Sequence, residues 1–562
     1  MAIALRNISS LKASPIGDTV HKFWRIARTG PLFRWRFSGF APQRIIAQPI
    51  DLHLHDANLA HEFYHGRFAL AGRLIEVGAY SPFEIKAPSP EWDAALHDHS
   101  WLRHMDAAQT ALATAYARSL LSEWLEKHGR HLTGIAWQPA IVARRLISWL
   151  SHASMLLHNA GGDFERQFLR QLGLHTRFLR TSIHRMDANE QRLIAAAALA
   201  FASLALPLSK ATRHAFEAQL ETELAQQIFP DGGHISRNPA VLVTLLADLL
   251  ALRHFYQSQH CLPPRGLRDS IERMLPALRF FLHKDQTLAH FNGVGPLLPQ
   301  RISTLLKLDE TGGQPFSHAP HSGYQRLETA NTIIIADTGC STERSIAHHA
   351  NAGCLSFEMS SGRHRFIINT GIDPYSTPSH RHLGRLTAAH STASLNDTSI
   401  GQFIQRAGHP EKVMAYGPTR VDVKRIDGRD RLGFIAQHNG YEPTFQLLHE
   451  RGLILCHNGD VIEGFDRFYH QENQRLPDDG RHHVAVRFHL HPDIYISRDG
   501  RGLLLTAPNG DIWNFICSDV SPQIEDSLTL AHLEGPKRCQ QIVLYFRPAL
   551  HEKIRWRLTR LS

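Results

Sequence analysis

Three short stretches gather polar residues whose types could do chemistry. The segment DGGHISRNP (231–239) sets His234, Arg237 and Asn238 on a glycine-containing turn ahead of a helix starting near Pro239. A helix N-terminus carries partial positive charge and unpaired N–H groups, so such a turn could help to bind a carboxylate. The same residues also suit a plain turn and cap, with Asp231 and Asn238 satisfying backbone N–H groups. HFNGVG (290–295) offers the amide of Asn292, and SGYQRL offers the phenol of Tyr324 near a domain junction. The six cysteines, Cys261, Cys340, Cys354, Cys456, Cys517 and Cys539, lie far apart with no C-x-x-C spacing. That argues against a zinc ribbon, a thioredoxin motif and a dense disulfide framework.

The charge balance says what such groups would meet. Lys and Arg number 61 against 52 Asp and Glu, a net charge of +9, and 39 His add positive charge as pH falls. Such a surface favours anionic partners. No nucleic-acid-binding motif is present, so a nucleic acid is not the expected one. At 562 residues, 43% hydrophobic and 20% charged, the chain has the make-up of a globular protein with two or more domains. Its longest apolar run, LIAAAALAFASLALPL (193–208), contains Pro207 and falls short of the roughly 20 residues that span a bilayer. We expect a helix buried on all sides there and no membrane span. The start, MAIALRNISSLKAS, lacks the continuous apolar segment of a secretory signal.

Two periodicities divide the chain. From about residue 50 to 310, apolar residues recur at three- and four-residue intervals in the runs 103–127, 137–158, 164–185, 189–206, 210–228, 240–258 and 265–283. Connectors such as GGDF (161–164), LPLS (206–209), FPDGG (229–233) and LPPRG (262–266) suit antiparallel helical hairpins. After about residue 312, short β-branched and aromatic runs take over, among them NTIIIAD (331–337), HRFIINT (364–370), HVAVRFHLH (483–491) and QIVLYF (541–546). Asn439-Gly440, Asn458-Gly459, Asp499-Gly500 and Asn509-Gly510 suit tight hairpin turns between strands. The expected organisation is an α plus β, two-domain chain. A basic extension (1–50) precedes a helical domain (51–312), and an antiparallel β-sandwich (313–562) follows the linker TGGQPFSHAPHSG (311–323).

Several of these segments resemble the heparinase II/III family. AHHANAGCLSFEM (347–359) is similar to that family's G-H-x-H-A-D-x-L-S-F-E motif, INTG (368–371) to its D-x-G strand end, and TAAHST (387–392) to its A-H-N-T motif. DGGHISRNP is similar to its D-G-x-H turn followed by Ser-Pro, with Asn238 in place of the Ser. The resemblance covers about residues 60 to 560. It implies an (α/α) toroid followed by a β-sandwich, an acidic polysaccharide as partner, and a place in the cell envelope or periplasm, while the lack of a visible secretory signal leaves the cytoplasm open.

It also implies roles for residues. His349 falls on the family's catalytic histidine, while Asn351 and Asn369 replace two metal ligands and leave only His390 of that triad. One imidazole and two neutral amides make a poor zinc site, so no metal and no cofactor are expected. The family's Asn-His pair is not recognisable in DANEQRL (187–193), and Val241 replaces the tyrosine that can follow Ser-Pro. Lyases of this class cleave a 4-linked uronic acid by β-elimination. They need a base at C5, an acid at O4, and donors or a cation to neutralise the carboxylate beside C5. His349 is the leading candidate for base or neutraliser, with His390, His234, Arg237 and Asn238 as further catalytic candidates and Asn292, Tyr324 and Asn351 for binding substrate. The alternative is a glycan-binding relative without the acid–base set.

Overall fold

The computed structural model describes residue 39 and residues 41–562, apart from 79, 311, 343–347, 406–411, 473–475, 501 and 562. The expected extension over 1–50 therefore lies outside the described residues as far as residue 38. The chain is α plus β, with a helical N-terminal region and a C-terminal antiparallel sheet domain. It forms two compact units that divide within the helical region. One is built mainly from Ala57–Ser182, the other from Ile46–Asp56, Ile183–Ile404 and Val413–Ser562.

In the first unit, helices α1 (Ala57–Tyr64), α2 (Pro90–His97), α3 (Leu102–Ala107), α4 (Ala111–Lys127), α5 (Pro139–Ser151), α6 (Ala153–Leu157) and α7 (Gly162–Ser182) accompany a hairpin of β1 (Arg67–Leu70) and β2 (Arg73–Glu76). The helix expected over 103–127 is broken: Gln109 takes a positive φ of 52° and the Thr110 side chain caps α4 by accepting from Ala113 N. The run 137–158 breaks likewise at His152, between α5 and α6.

The core of this unit surrounds a buried cation. Arg145 lies 4.2 Å over the Trp124 ring and donates to His175 Nε2, His97 O and Ala136 O. Trp124 and Trp149 donate to the Nδ1 atoms of His97 and His99. Burial, reinforced by Arg145, pushes His97 down to about 3 and holds His99 and His175 well below the usual imidazole range.

In the second unit, α8 (Glu190–Ala205) is buried along nearly its whole length, as its run of alanines and leucines predicts. It packs against α9 (Lys210–Gln227) and α10 (Pro239–Ser258), and α11 (Arg265–Phe280) packs against α9 and α10, with α12 (Pro299–Lys307) beside α10. Among the described residues α10 alone is long and apolar enough to cross a bilayer, and most of it is buried inside the protein.

The strands that follow are β3 (His318–Ala319), β4 (Tyr324–Glu328), β5 (Thr332–Asp337), β6 (Phe357–Ser361), β7 (His364–Ile368), β8 (Ala393–Leu395), β9 (Gln402–Gln405), β10 (Lys412–Tyr416), β11 (Val421–Asp427) and β12 (Arg431–His438). Then come β13 (Leu447–Cys456), β14 (Val461–His470), β15 (Val484–Leu490), β16 (Tyr495–Asp499), β17 (Gly502–Thr506), β18 (Ile512–Cys517), β19 (Gln523–Thr529), β20 (Lys537–Phe546) and β21 (Ile554–Arg560).

One antiparallel sheet runs β19-β20-β15-β7-β6-β5-β4-β3, with β8 also paired to β15; the other runs β11-β12-β13-β14-β21-β18-β17-β16. Both contribute to a single apolar core, in which Phe357 and Trp556 stack at 5.8 Å. A buried ion cluster is set into that core. Asp466 on β14 accepts from Arg451 Nε, His449 Nε2 and Trp556 Nε1 at 2.9–3.0 Å. Arg451 in turn donates to the carbonyls of Leu355 and Ser391, which ties the loop before β6 to the loop before β8.

Candidate functional site

The site is assembled from the starts of two helices and the loop before β6. Asn189 caps α8, its side chain accepting from Gln191 N and Arg192 N, and so delivers Glu190 to the first helical position. Asn238 caps α10 in the same way, with Oδ1 accepting from Ala240 N at 2.9 Å. That bond fixes the orientation of the Asn238 amide and leaves Nδ2 to donate to His349 Nδ1 at 3.3 Å. With Nδ1 accepting, the proton of neutral His349 sits on Nε2, which lies 3.2 Å from Glu190 Oε1. His348 Nε2 lies 3.5 Å from the same oxygen, and the two imidazole rings are 4.1 Å apart.

Glu190 is 7% exposed, whereas both histidine side chains reach solvent. Burial alone would raise its pKa, but His349 and His348 outweigh that and hold the carboxyl well below its usual range. Its second oxygen, Oε2, is buried without a hydrogen-bond partner among the described residues. Gly293 makes room for the cluster. Its φ is +93°, and a Cβ there would stand 3.0 Å from Asn238 Nδ2 and 3.4 Å from His349 Nδ1.

Of the expected residues, His349 and Asn238 meet in the Glu190 cluster, and the others bond to one another or to their surroundings. His234 is buried and bonded to Ser236 Oγ and Gln227 Oε1, and burial holds it down to about 4. Arg237 donates to the carbonyls of Ser322 and Cys340 and to the Asp337 carboxylate. Burial disfavours its charge, but Asp337 outweighs burial and raises its pKa. The Tyr324 hydroxyl is buried, donating to Arg237 O and accepting from Asn292 Nδ2, both at 2.6 Å. Burial pushes this phenol above its usual range. Asn292 also donates to Asp337 and accepts from Asn351 N.

The triad that would hold zinc is engaged in part, with Asn351 Oδ1 and Asn369 Nδ2 buried without a hydrogen-bond partner among the described residues. His390 Nδ1 donates to Leu386 O, and its Nε2 accepts from Asn351 Nδ2 at 3.2 Å. Asn369 Oδ1 instead accepts from Ser391 N. One imidazole already engaged by an amide, beside two neutral carboxamides, does not fit a divalent ion.

The LSFE segment has a supporting role. Glu358 is fully buried and accepts from His283 Nε2, His290 N, Arg365 Nη2 and Asn369 N. Burial would raise its pKa, but Arg365 and the two histidines hold it well below the carboxylate range. These bonds tie the loop carrying Asn292 and Gly293 to β6 and β7.

Two functional candidates, Glu190 and His348, lie outside the set expected from sequence. The first could have been found as a charged residue, next to a cap, at the head of an otherwise apolar helix. For the second the signal is only the paired histidines of AHHANAG.

Comparison with known proteins shows the family and the fold. Residues 50–295 match the model described as heparinase II/III N-terminus, and residues 311–557 match heparinase II/III-like, C-terminal. The fold is similar to that of heparinase III (TM-score 0.69, 13% identity, covering 99% of this chain and 92% of that one). It is also similar to a mutant of the heparan sulfate lyase HepC from Pedobacter heparinus (TM-score 0.64, 16% identity, covering 90% and 82%). FtsZ-localized protein C of Caulobacter vibrioides is 29% identical over 533 residues, covering 92% of this chain and 91% of that protein. The chain belongs to the heparinase II/III-like family.

Proposed function

We propose that the chain is a polysaccharide-lyase-like protein that cleaves a uronate-containing glycan by β-elimination, with His349 as the base. In this reading Nδ1 of His349 leaves Asn238 and takes the C5 proton. The C4–C5 double bond forms as the C4–O4 bond breaks, and O4 receives a proton. Glu190 stabilises the imidazolium that develops, as a buried carboxylate behind a histidine does. His348, partly exposed beside it, is the group available to protonate O4, and the Asn238 amide is available to the substrate carboxylate. A helical toroid and a sandwich, divided near residue 312, belong to the same proposal. The observation that carries it is the Asn238–His349–Glu190 chain, which holds one solvent-reaching imidazole with a defined acceptor nitrogen.

A second reading, binding of acidic glycan without turnover, is supported by the commitment of Tyr324 and Arg237 to internal bonds. The Caulobacter relative is named for its localisation by FtsZ and not for an activity. Incubation with a panel of uronate polymers separates the two. New ultraviolet absorbance from a C4–C5 double bond supports elimination, and saturable binding without it supports the second reading.

A further inference from the structure

We propose that Glu190, His348 and His349 form a binding site for a divalent transition metal of the zinc type. The carboxylate oxygen and the two imidazole nitrogens all lie within 4.8 Å of one another. Glu190 Oε1 stands 3.2 Å from His349 Nε2 and 3.5 Å from His348 Nε2. Ligands held at about 2.0–2.2 Å around a tetrahedral ion are separated from each other by roughly 3.3–3.6 Å. The two edges that meet at Glu190 Oε1 are close to the edge lengths of such a cage.

Two further features point to an ion rather than to a plain ion pair. The mixed nitrogen and oxygen donor set suits zinc and its neighbours, whereas calcium and magnesium take oxygen ligands. Glu190 Oε2 is buried with no partner among the described residues. A buried carboxylate oxygen left unpaired is costly, and a cation at the cluster would compensate it. Both histidines reach solvent, which gives the ion an entry path and leaves a fourth position for water or a ligand oxygen. This site uses none of the triad residues Asn351, Asn369 and His390.

Asn238 supplies a sharper expectation. When Nε2 of a neutral imidazole binds metal, Nδ1 carries the proton and seeks an acceptor. Asn238 instead presents its Nδ2 donor, in the long 3.3 Å contact that metal binding must release. An aspartate at 238 would keep the helix cap through one oxygen and accept from His349 Nδ1 through the other.

The test uses the tag-free, EDTA-treated full chain, titrated with Co²⁺ and then with Zn²⁺ in competition and without glycan, so its outcome is independent of the lyase reading. One Co²⁺ per chain, with visible ligand-field absorption displaced by Zn²⁺, is expected. His348→Asn and Glu190→Gln should weaken binding by more than about 100-fold, beyond the usual loss for an outer-shell partner, and Asn238→Asp should tighten it by roughly 10-fold. His348 is partly exposed on a loop, so H348N remains a folded control, checked by circular dichroism. Wild-type affinity in H348N, no gain in N238D, or no saturable site in the wild type overturns the proposal.

Discussion

Nε2 of His349 lies 3.2 Å from Oε1 of Glu190, 159 positions earlier in the chain. The contact joins the loop before β6 to the first residue of α8, and both ring nitrogens of His349 are thereby assigned.

Metal and base chemistry compete for the same imidazole. If Nε2 of His349 is taken by an ion, Nδ1 is protonated and cannot accept the C5 proton. Zn²⁺ at saturating concentration should therefore abolish double-bond formation, and EDTA should restore it. Initial rates with and without chelator check this.

Tyr324 should behave as a structural residue. Tyr324→Phe removes the donor to Arg237 O and the acceptor for Asn292 Nδ2 inside the protein. The expected loss is about 1–3 kcal/mol of stability, seen as a lower urea midpoint, with turnover retained in the folded fraction.

Glu358→Gln should be among the most damaging substitutions. It leaves Arg365 buried without its carboxylate partner and loosens the loop of Asn292 and Gly293. A cost of about 3–5 kcal/mol is expected for breaking such a buried pair, measurable by denaturant titration.

Acid should unfold the first unit early. His97, His99 and His175 are held neutral around Arg145, with folded pKa values below the usual 6.5. The unfolded chain binds more protons below pH 6.5, so stability present above that value falls as pH drops, for His97 down to its folded pKa of about 3. Tryptophan fluorescence from Trp124, Trp137 and Trp149, followed from pH 7 to 4, should report the loss. A signal unchanged across that window would contradict it.

Much of the fold is legible in the residues themselves. The three- and four-residue spacing locates α7 through α11 closely, and the change of period near residue 312 falls between α12 and β3. The break before α4 is not legible, because a glutamine at positive φ carries no residue-type signal. The site is legible only in part. His349 and Asn238 are marked by motif and cap, whereas Glu190 hides in DANEQRL, where the family's Asn-His pair is not recognisable. Tyr324 looks available in sequence, yet Phe281 and Phe291 pack against its ring and helix-turn residues consume its hydroxyl. Burial of that kind arises from contacts between segments far apart in sequence, which local spacing does not encode.

In the proposed reaction His349, held between Asn238 and Glu190, acts on an acidic glycan. The most direct measurement is the ultraviolet absorbance of a new C4–C5 double bond when the metal-free wild-type chain and a folded His349→Ala variant meet a panel of uronate polymers. The prediction is absorbance growth on at least one polymer with the wild type, and a loss of about 10²–10⁴-fold in the variant, the range for removing a general base. Equal rates in the two proteins, or no growth on any polymer, would contradict it.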